Sequence, residues 1–139
     1  ADIAMEIEEE DSILIGFCVL GGIFSEGIDL KNDSLIGAIV VGTGLPQVCF
    51  EREILKNFFD EEGENGFDYS YRYPGMNKVL QAAGRVIRTT EDVGIIALLD
   101  ERFLQGSYRR MFPREWESFE EVSLDTVAKR VERFWNEWL

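Results

Sequence analysis

Three stretches of the chain are almost purely apolar, and each ends in glycine or in charge. Residues 12–20 (Ser-Ile-Leu-Ile-Gly-Phe-Cys-Val-Leu) run into Gly21-Gly22, Leu35 to Val41 runs into Gly42-Thr43-Gly44-Leu45-Pro46, and Gly94 to Leu99 runs into Asp100-Glu101. Runs of this kind suit strands buried on both faces of a parallel sheet better than alternating edge strands. Between them the period changes. Glu51 to Glu62 carries Ile54, Leu55, Phe58 and Phe59 at helical spacing, and Pro74 suits the first position of a helix running to about Arg88. Strands separated by helices predict βαβ crossovers and an α/β fold, a parallel sheet with flanking helices. Three strands are fewer than a doubly wound domain normally has, so the sheet is expected to lack its first strands, as in a segment of a longer polypeptide.

The glycine- and glutamate-rich stretch from Asp60 to Phe67 reads as an exposed loop, and the aromatic run Phe67 to Tyr73 leads into Pro74. After a break at Gly106-Ser107, Ser123 to Leu139 forms a last amphipathic pattern. Leu124, Val127, Val131, Phe134, Trp135 and Trp138 fall near one face, so this helix is expected to pack on the body and close it. The division that follows is a sheet-bearing unit over residues 1–105 and a packed helical extension over 106–139.

A length of 139 residues fits one domain. With 45% apolar and 29% charged residues the chain is too hydrophobic for disorder and too charged for a membrane protein. No apolar run approaches the roughly 20 residues of a bilayer span. Cys18 and Cys49 lie in apolar surroundings and read as buried thiols of a protein kept in a reducing cytosol, hence a cytoplasmic location. The chain contains no His, which removes imidazole bases, Ser-His-Asp triads and His-bearing zinc sites. Fourteen Lys plus Arg against 27 Asp plus Glu give a net charge of −13, so any binding of a polyanion must be local. Arg72, Lys78, Arg109, Arg110 and Arg114 are the candidates for phosphate contact, set against their plainer reading as scattered surface cations.

Two segments imitate phosphate loops. Gly22-Ile-Phe-Ser-Glu-Gly27 has Walker A spacing, but Ile28-Asp29 stands where Lys and Ser or Thr would be needed. Gly42-Thr43-Gly44 lacks a third glycine at the dinucleotide-binding spacing. Asp100-Glu101 after a strand imitates a magnesium-binding pair, and without a phosphate loop it reads as the polar end of a core strand.

The segment Gln81-Ala-Ala-Gly-Arg-Val-Ile-Arg88 carries more. On a continuous helix Gln81, Arg85 and Arg88 would fall at about 0°, 40° and −20°, one stripe bearing two guanidiniums and an amide. Met76, Val79, Leu80, Ala83 and Ile87 would point elsewhere and anchor the helix. Arg pairs on a rigid support suit a phosphoryl group, because each guanidinium can bind in bidentate fashion and keeps its charge. From spacing alone the favoured reading is a solvated stripe paired with acids.

Gly21-Gly-Ile-Phe-Ser-Glu-Gly-Ile-Asp-Leu30, then Tyr73 to Arg88, then Gly94 to Phe103 ending Leu-Leu-Asp-Glu-Arg-Phe, together resemble the C-terminal motor domain of DinG and XPD-type superfamily 2 DNA helicases. The resemblance covers residues 12–103, with motif V (Ser25-Glu-Gly-Ile-Asp29) and motif VI (Gln81 to Arg88) in family order. It implies a RecA-like, P-loop-NTPase-like domain. It also implies that Arg85 and Arg88 are arginine fingers reaching the γ-phosphate of ATP on a separate N-terminal motor domain, with Gln81 beside them. Asp29 and Glu26, with Gly27, would lie near the nucleotide or near the arginine fingers, and Ser25 near the backbone of single-stranded DNA, for which Arg72 and Lys78 are the candidate cations named above.

ATP and Mg²⁺ would be held mainly by the N-terminal motor domain of the same polypeptide, whose Walker A, Walker B and iron–sulfur cysteines this chain lacks. The implied function is half of an ATP-dependent DNA repair helicase, inactive as an isolated segment, with no metal site of its own, no membrane association, and an open sheet edge through which copies could dimerise. The alternative is a non-catalytic RecA-like module kept for protein interaction.

Overall fold

The computed structural model describes residues 13–22 and 35–139. Two strands, β1 (Gly37–Val41) and β2 (Ile95–Leu99), pair in parallel with Gly37 opposite Ile95 and Val41 opposite Leu99. The ladder is extended at both ends, where Ile95 N–H donates to the Ile36 carbonyl at 3.0 Å and Gly42 N–H to the Leu99 carbonyl at 3.2 Å. The parallel sheet with flanking helices expected from the apolar runs is present, with two strands among the described residues.

The first apolar run behaves differently. Residues 13–19 form no strand and are exposed; only Leu20 at its end packs against the core. A strand apolar on both faces needs sheet neighbours and covering layers, and neither β1 nor β2 pairs with this run. Both cysteines are exposed, against the expectation of buried thiols, because Cys18 lies in that run and Cys49 directly precedes a surface helix. β1 is likewise covered on one face alone: Val40 is 5% exposed, while Ile39 and Val41 are 72% and 75% exposed.

The crossover begins with α1 (Phe50–Glu61), which carries Glu51 and Glu53 in its first turn, where carboxylates favour the helix dipole. After an exposed turn the chain winds as a π-helix over Asp68–Arg72 and passes into α2 (Tyr73–Ala83). The aromatic run is thus itself helical rather than a lead-in. Pro74 offers no N–H to the Ser70 carbonyl, its partner four residues back in an α-helix. That carbonyl accepts instead from Arg52 Nη1 at 2.7 Å, and Ser70 Oγ returns a bond to the Arg52 carbonyl at 2.6 Å. The π-helical turn is therefore satisfied by α1.

On α2, Met76, Val79 and Ala83 are buried with Leu80 half-buried beside them, the face expected to meet the sheet. Gly75 lets the helix approach β1's loop: a Cβ there would lie 2.8 Å from the Thr43 carbonyl oxygen and 3.0 Å from Leu45 N. Beyond β2, a 3₁₀ turn at Glu101–Leu104, the short helix α3 (Gly106–Arg109) and a second 3₁₀ turn at Arg114–Trp116 bring Phe103 and Tyr108 into the core, with Met111, Phe112 and Trp116 packed on it.

The last helix, α4 (Val127–Trp138), has no buried residue. Val127, Val131, Phe134 and Trp135 along it are half-buried, and Glu120 of the preceding segment pairs with Arg130 and Arg133, all half-exposed. No helix among the described residues is long and apolar enough to cross a membrane.

Candidate functional site

The chain leaves α2 at Ala83 rather than continuing to Arg88. Gly84 caps the helix, its N–H bonding the Leu80 carbonyl at 2.9 Å, and the next two amides tighten into three-residue turns, Arg85 N–H to the Ala82 carbonyl and Val86 N–H to the Ala83 carbonyl. Gln81, Arg85 and Arg88 therefore do not form a single helical stripe. Val86 explains the departure: it is buried, and a Cβ on Gly94 would run into its Cγ1. Burying Val86 where the chain enters β2 is favoured over another helical turn, which leaves Ile87, expected among the anchoring residues, exposed.

The three side chains still belong to one short segment. Gln81 is exposed on the last turn of α2, Arg85 is half-buried in the turn after it, and Arg88 is exposed three residues on. This segment stands beside the N-terminal ends of the strands, where Gly94 approaches Ile36, and not at the C-terminal ends where ligand loops of open sheets are expected.

A second staple follows. Asp92 Oδ2 accepts from Arg88 N–H at 2.8 Å and from Thr89 N–H at 2.7 Å, and Thr89 Oγ1 accepts from Glu91 N–H at 3.3 Å. The Arg88 and Thr89 amide bonds hold the Asp92 carboxyl below its ordinary range. The sequence reading passed over Asp92. The carboxylate reaches back to amides three and four residues earlier, a pattern that the Thr89-Thr90-Glu91-Asp92 sequence does not by itself announce.

The other end of α2 gathers different residues. The Lys78 side chain lies over Gly21, where an added Cβ would be 3.1 Å from its Cδ. Gly44, in the left-handed region at φ +66°, abuts Gly75 and Leu20. The Gly42-Thr43-Gly44 turn is thus used for conformation and close packing. Ser25, Glu26, Gly27 and Asp29 lie outside the described residues.

Arg72 pairs with Asp68 and lies over the rings of Phe67 and Tyr108 at 5.2 and 5.1 Å, while Arg109 lies over Phe119. Asp100 is engaged by Arg102, whose Nε and Nη2 meet its two oxygens at 2.9 and 2.7 Å while the Arg102 amide bonds the same carboxylate. These bonds hold the Asp100 carboxyl below its usual range and make it the cap of a 3₁₀ turn.

Compared with known families, residues 2–119 match the model of the helicase C-terminal domain. The chain belongs to that family. The helicase C-terminal domain is similar to a probable ATP-dependent helicase of Methanocaldococcus jannaschii, 27% identical over 97% of this chain and 22% of that protein. It is also similar to a homolog of regulator of telomere elongation helicase 1 from Caenorhabditis elegans, 28% identical over 94% of the chain, and to the ATP-dependent DNA helicase DinG of Photobacterium profundum, 34% identical over 70% of it. Each of those last two alignments covers 14% of the relative, so this helicase C-terminal domain spans about a fifth or less of the length of these three proteins. It is a C-terminal domain of DinG/XPD type, and its described part is a partial RecA-like sheet with flanking helices.

Proposed function

We propose that this domain is the C-terminal motor half of an ATP-dependent DNA helicase, in which Arg85 and Arg88 reach the γ-phosphate of ATP held, with Mg²⁺, by the N-terminal motor domain of the same polypeptide. Gln81 lies beside them as the hydrogen-bonding member of the set. The observation that carries this reading is the concentration of two guanidiniums and an amide in one short segment, tied on one side by buried Val86 and on the other by the Asp92 staple. Guanidiniums so supported suit an oxyanion whose charge grows during phosphoryl transfer, an effect worth roughly 10³ to 10⁵ in rate where an arginine finger completes a GTPase site.

On the same reading Asp29, Glu26 and Gly27 serve the nucleotide, and Ser25 and Lys78 serve the backbone of single-stranded DNA. Lys78 suits that task because it lies over Gly21, next to the segment leading to Ser25. Arg72 would have to leave Asp68 to join them.

The test is the ATPase rate of the full-length polypeptide with saturating single-stranded DNA, comparing wild type with Arg85→Ala and Arg88→Ala while nucleotide binding is monitored. A fall of about 10³-fold in kcat with binding retained is the expected result. An unchanged rate would sink the arginine-finger assignment and favour a domain kept for protein interaction.

A further inference from the structure

We infer that Asp92 is a positioning residue for Arg88, fixing the backbone from which that side chain reaches toward phosphate. The inference rests on the arginine-finger reading of Arg88 and adds a residue that the reading does not contain. Between Ile87 and Gly94 the chain forms neither helix nor strand, so no regular ladder fixes the amides of Arg88 and Thr89. One oxygen, Asp92 Oδ2, accepts both of them, at 2.8 and 2.7 Å. The loop is drawn in further by Glu91 N–H on Thr89 Oγ1, and its two ends are held where Val86 packs on Gly94. Arg88 thus stands between a packed residue two positions before it and a carboxylate four positions after it. The two staple bonds are made to main-chain amides, while the carboxylate's charge also acts on Arg88; Asp92→Asn, which drops the charge and keeps an acceptor oxygen, separates the anchor from the charge. Misplacing a reacting group by about 1 Å can cost on the order of 100-fold in rate, so the staple is expected to act on turnover.

The experiment is a double-mutant cycle in the full-length polypeptide, with single-stranded-DNA-stimulated ATPase as the readout and nucleotide and DNA binding as checks on folding. Asp92→Ala is expected to lower kcat by about 10-fold or more with KM for ATP within about 2-fold, a split that marks loss of a transition-state interaction. Asp92→Asn keeps an acceptor oxygen and is expected to restore kcat to within about 3-fold of wild type. Added to Arg88→Ala, Asp92→Ala should cost less than about 2-fold, because the group it positions is already gone. If the two losses multiply instead, or if Asn fares no better than Ala, the inference is overturned and Asp92 is a structural or charge-bearing residue.

Should Asp92→Ala lose its fold, Asp92→Ser, whose hydroxyl stops one atom short of the carboxylate oxygen, is carried through the same cycle under the same criteria. A crippled Arg88→Ala beside an unaffected Asp92→Ala overturns the positioning role alone. An unaffected Arg88→Ala overturns both it and the finger reading.

Discussion

The phenol of Tyr71 is buried and donates to the Glu53 carboxylate across eighteen positions of sequence. The hydrogen bond favours the protonated phenol, and burial and the neighbouring charge act in the same direction, pushing its pKa from 10.0 up to about 12. A folded state that keeps its proton longer than the unfolded chain gains stability below pH 10 and loses that gain as pH rises from 10 toward 12. Tyr71 is therefore expected to ionise late in a near-ultraviolet phenolate titration, and Glu53→Gln should bring that step to lower pH. A titration with no such late phenolate step would contradict the contact. Asp92 and Asp100 carry the opposite sign: their folded carboxyls stay ionised to lower pH, so their contributions hold at neutral pH and fade only below the ordinary aspartate pKa of 3.8. Neither Tyr71–Glu53 nor Arg52–Ser70 could be read from the sequence, because pairs eighteen residues apart meet only once the π-helical turn has formed. Arg85 and Arg88 stand out in the sequence because they lie within one local motif, whereas the end of their helix at Ala83 does not.

Glycine at position 75 is what allows α2 to reach the sheet. A methyl group there would press on the backbone of Thr43, Gly44 and Leu45, none of which can rotate aside as a flexible side chain would. Gly75→Ala is thus expected to destabilise the chain by about 1–3 kcal/mol through overpacking, reduced by up to about 1 kcal/mol of helix propensity. Gly106→Ala is the control. Position 106 begins α3 and opens onto free space, so its change should stay within about 0.5 kcal/mol in denaturant unfolding. Equal effects from the two would mean that α2 and β1 are not in close contact.

At this scale the sequence was informative wherever one local rule decided the element. β1, β2 and α1 lie within a few residues of their apolar runs or helical periods, because glycine, proline or charge stops each of them. It misled where a distant contact competed. Helical periodicity continues through Ile87 and Arg88, yet the chain unwinds at Gly84 because Val86 is buried against Gly94, ten residues past that glycine. The run at 13–19 has the composition of a central strand and, among the described residues, pairs with neither β1 nor β2, a fact about neighbours that its own residues do not carry.

Across the whole molecule the core lies to one side of a half-covered sheet, formed by Val40, Met76, Val79, Phe103 and Tyr108, and α4 contributes nothing buried to it. Of the amphipathic pattern that suggested a closing layer, Leu124 and Trp138 are 96% and 61% exposed, while Val127, Val131, Phe134 and Trp135 are half-buried. What ties α4 to the preceding segment is Glu120 with Arg130 at 3.3 Å and with Arg133 at 2.9 Å, pairs half-open to solvent and worth roughly 0–1 kcal/mol. Removing residues 123–139 should therefore cost little. The deleted segment holds three acids (Asp125, Glu132, Glu137) and three bases (Lys129, Arg130, Arg133), so the net charge stays at −13 and the comparison is free of altered self-repulsion. The truncated chain is expected to melt within about 5 °C of the full one, since 1 kcal/mol moves the midpoint of a domain this size by roughly that amount. Phe103→Ala supplies the opposite case: that ring is 4% exposed in the core, and its loss should cost about 3–5 kcal/mol. A truncation as damaging as Phe103→Ala would mean that α4 does pack on the body in solution, as its apolar stripe led one to expect. A small shift would place the stabilising boundary of the fold near Trp116 and Phe119, where the aromatic contacts with Phe112 end and where the match to the helicase C-terminal domain also ends.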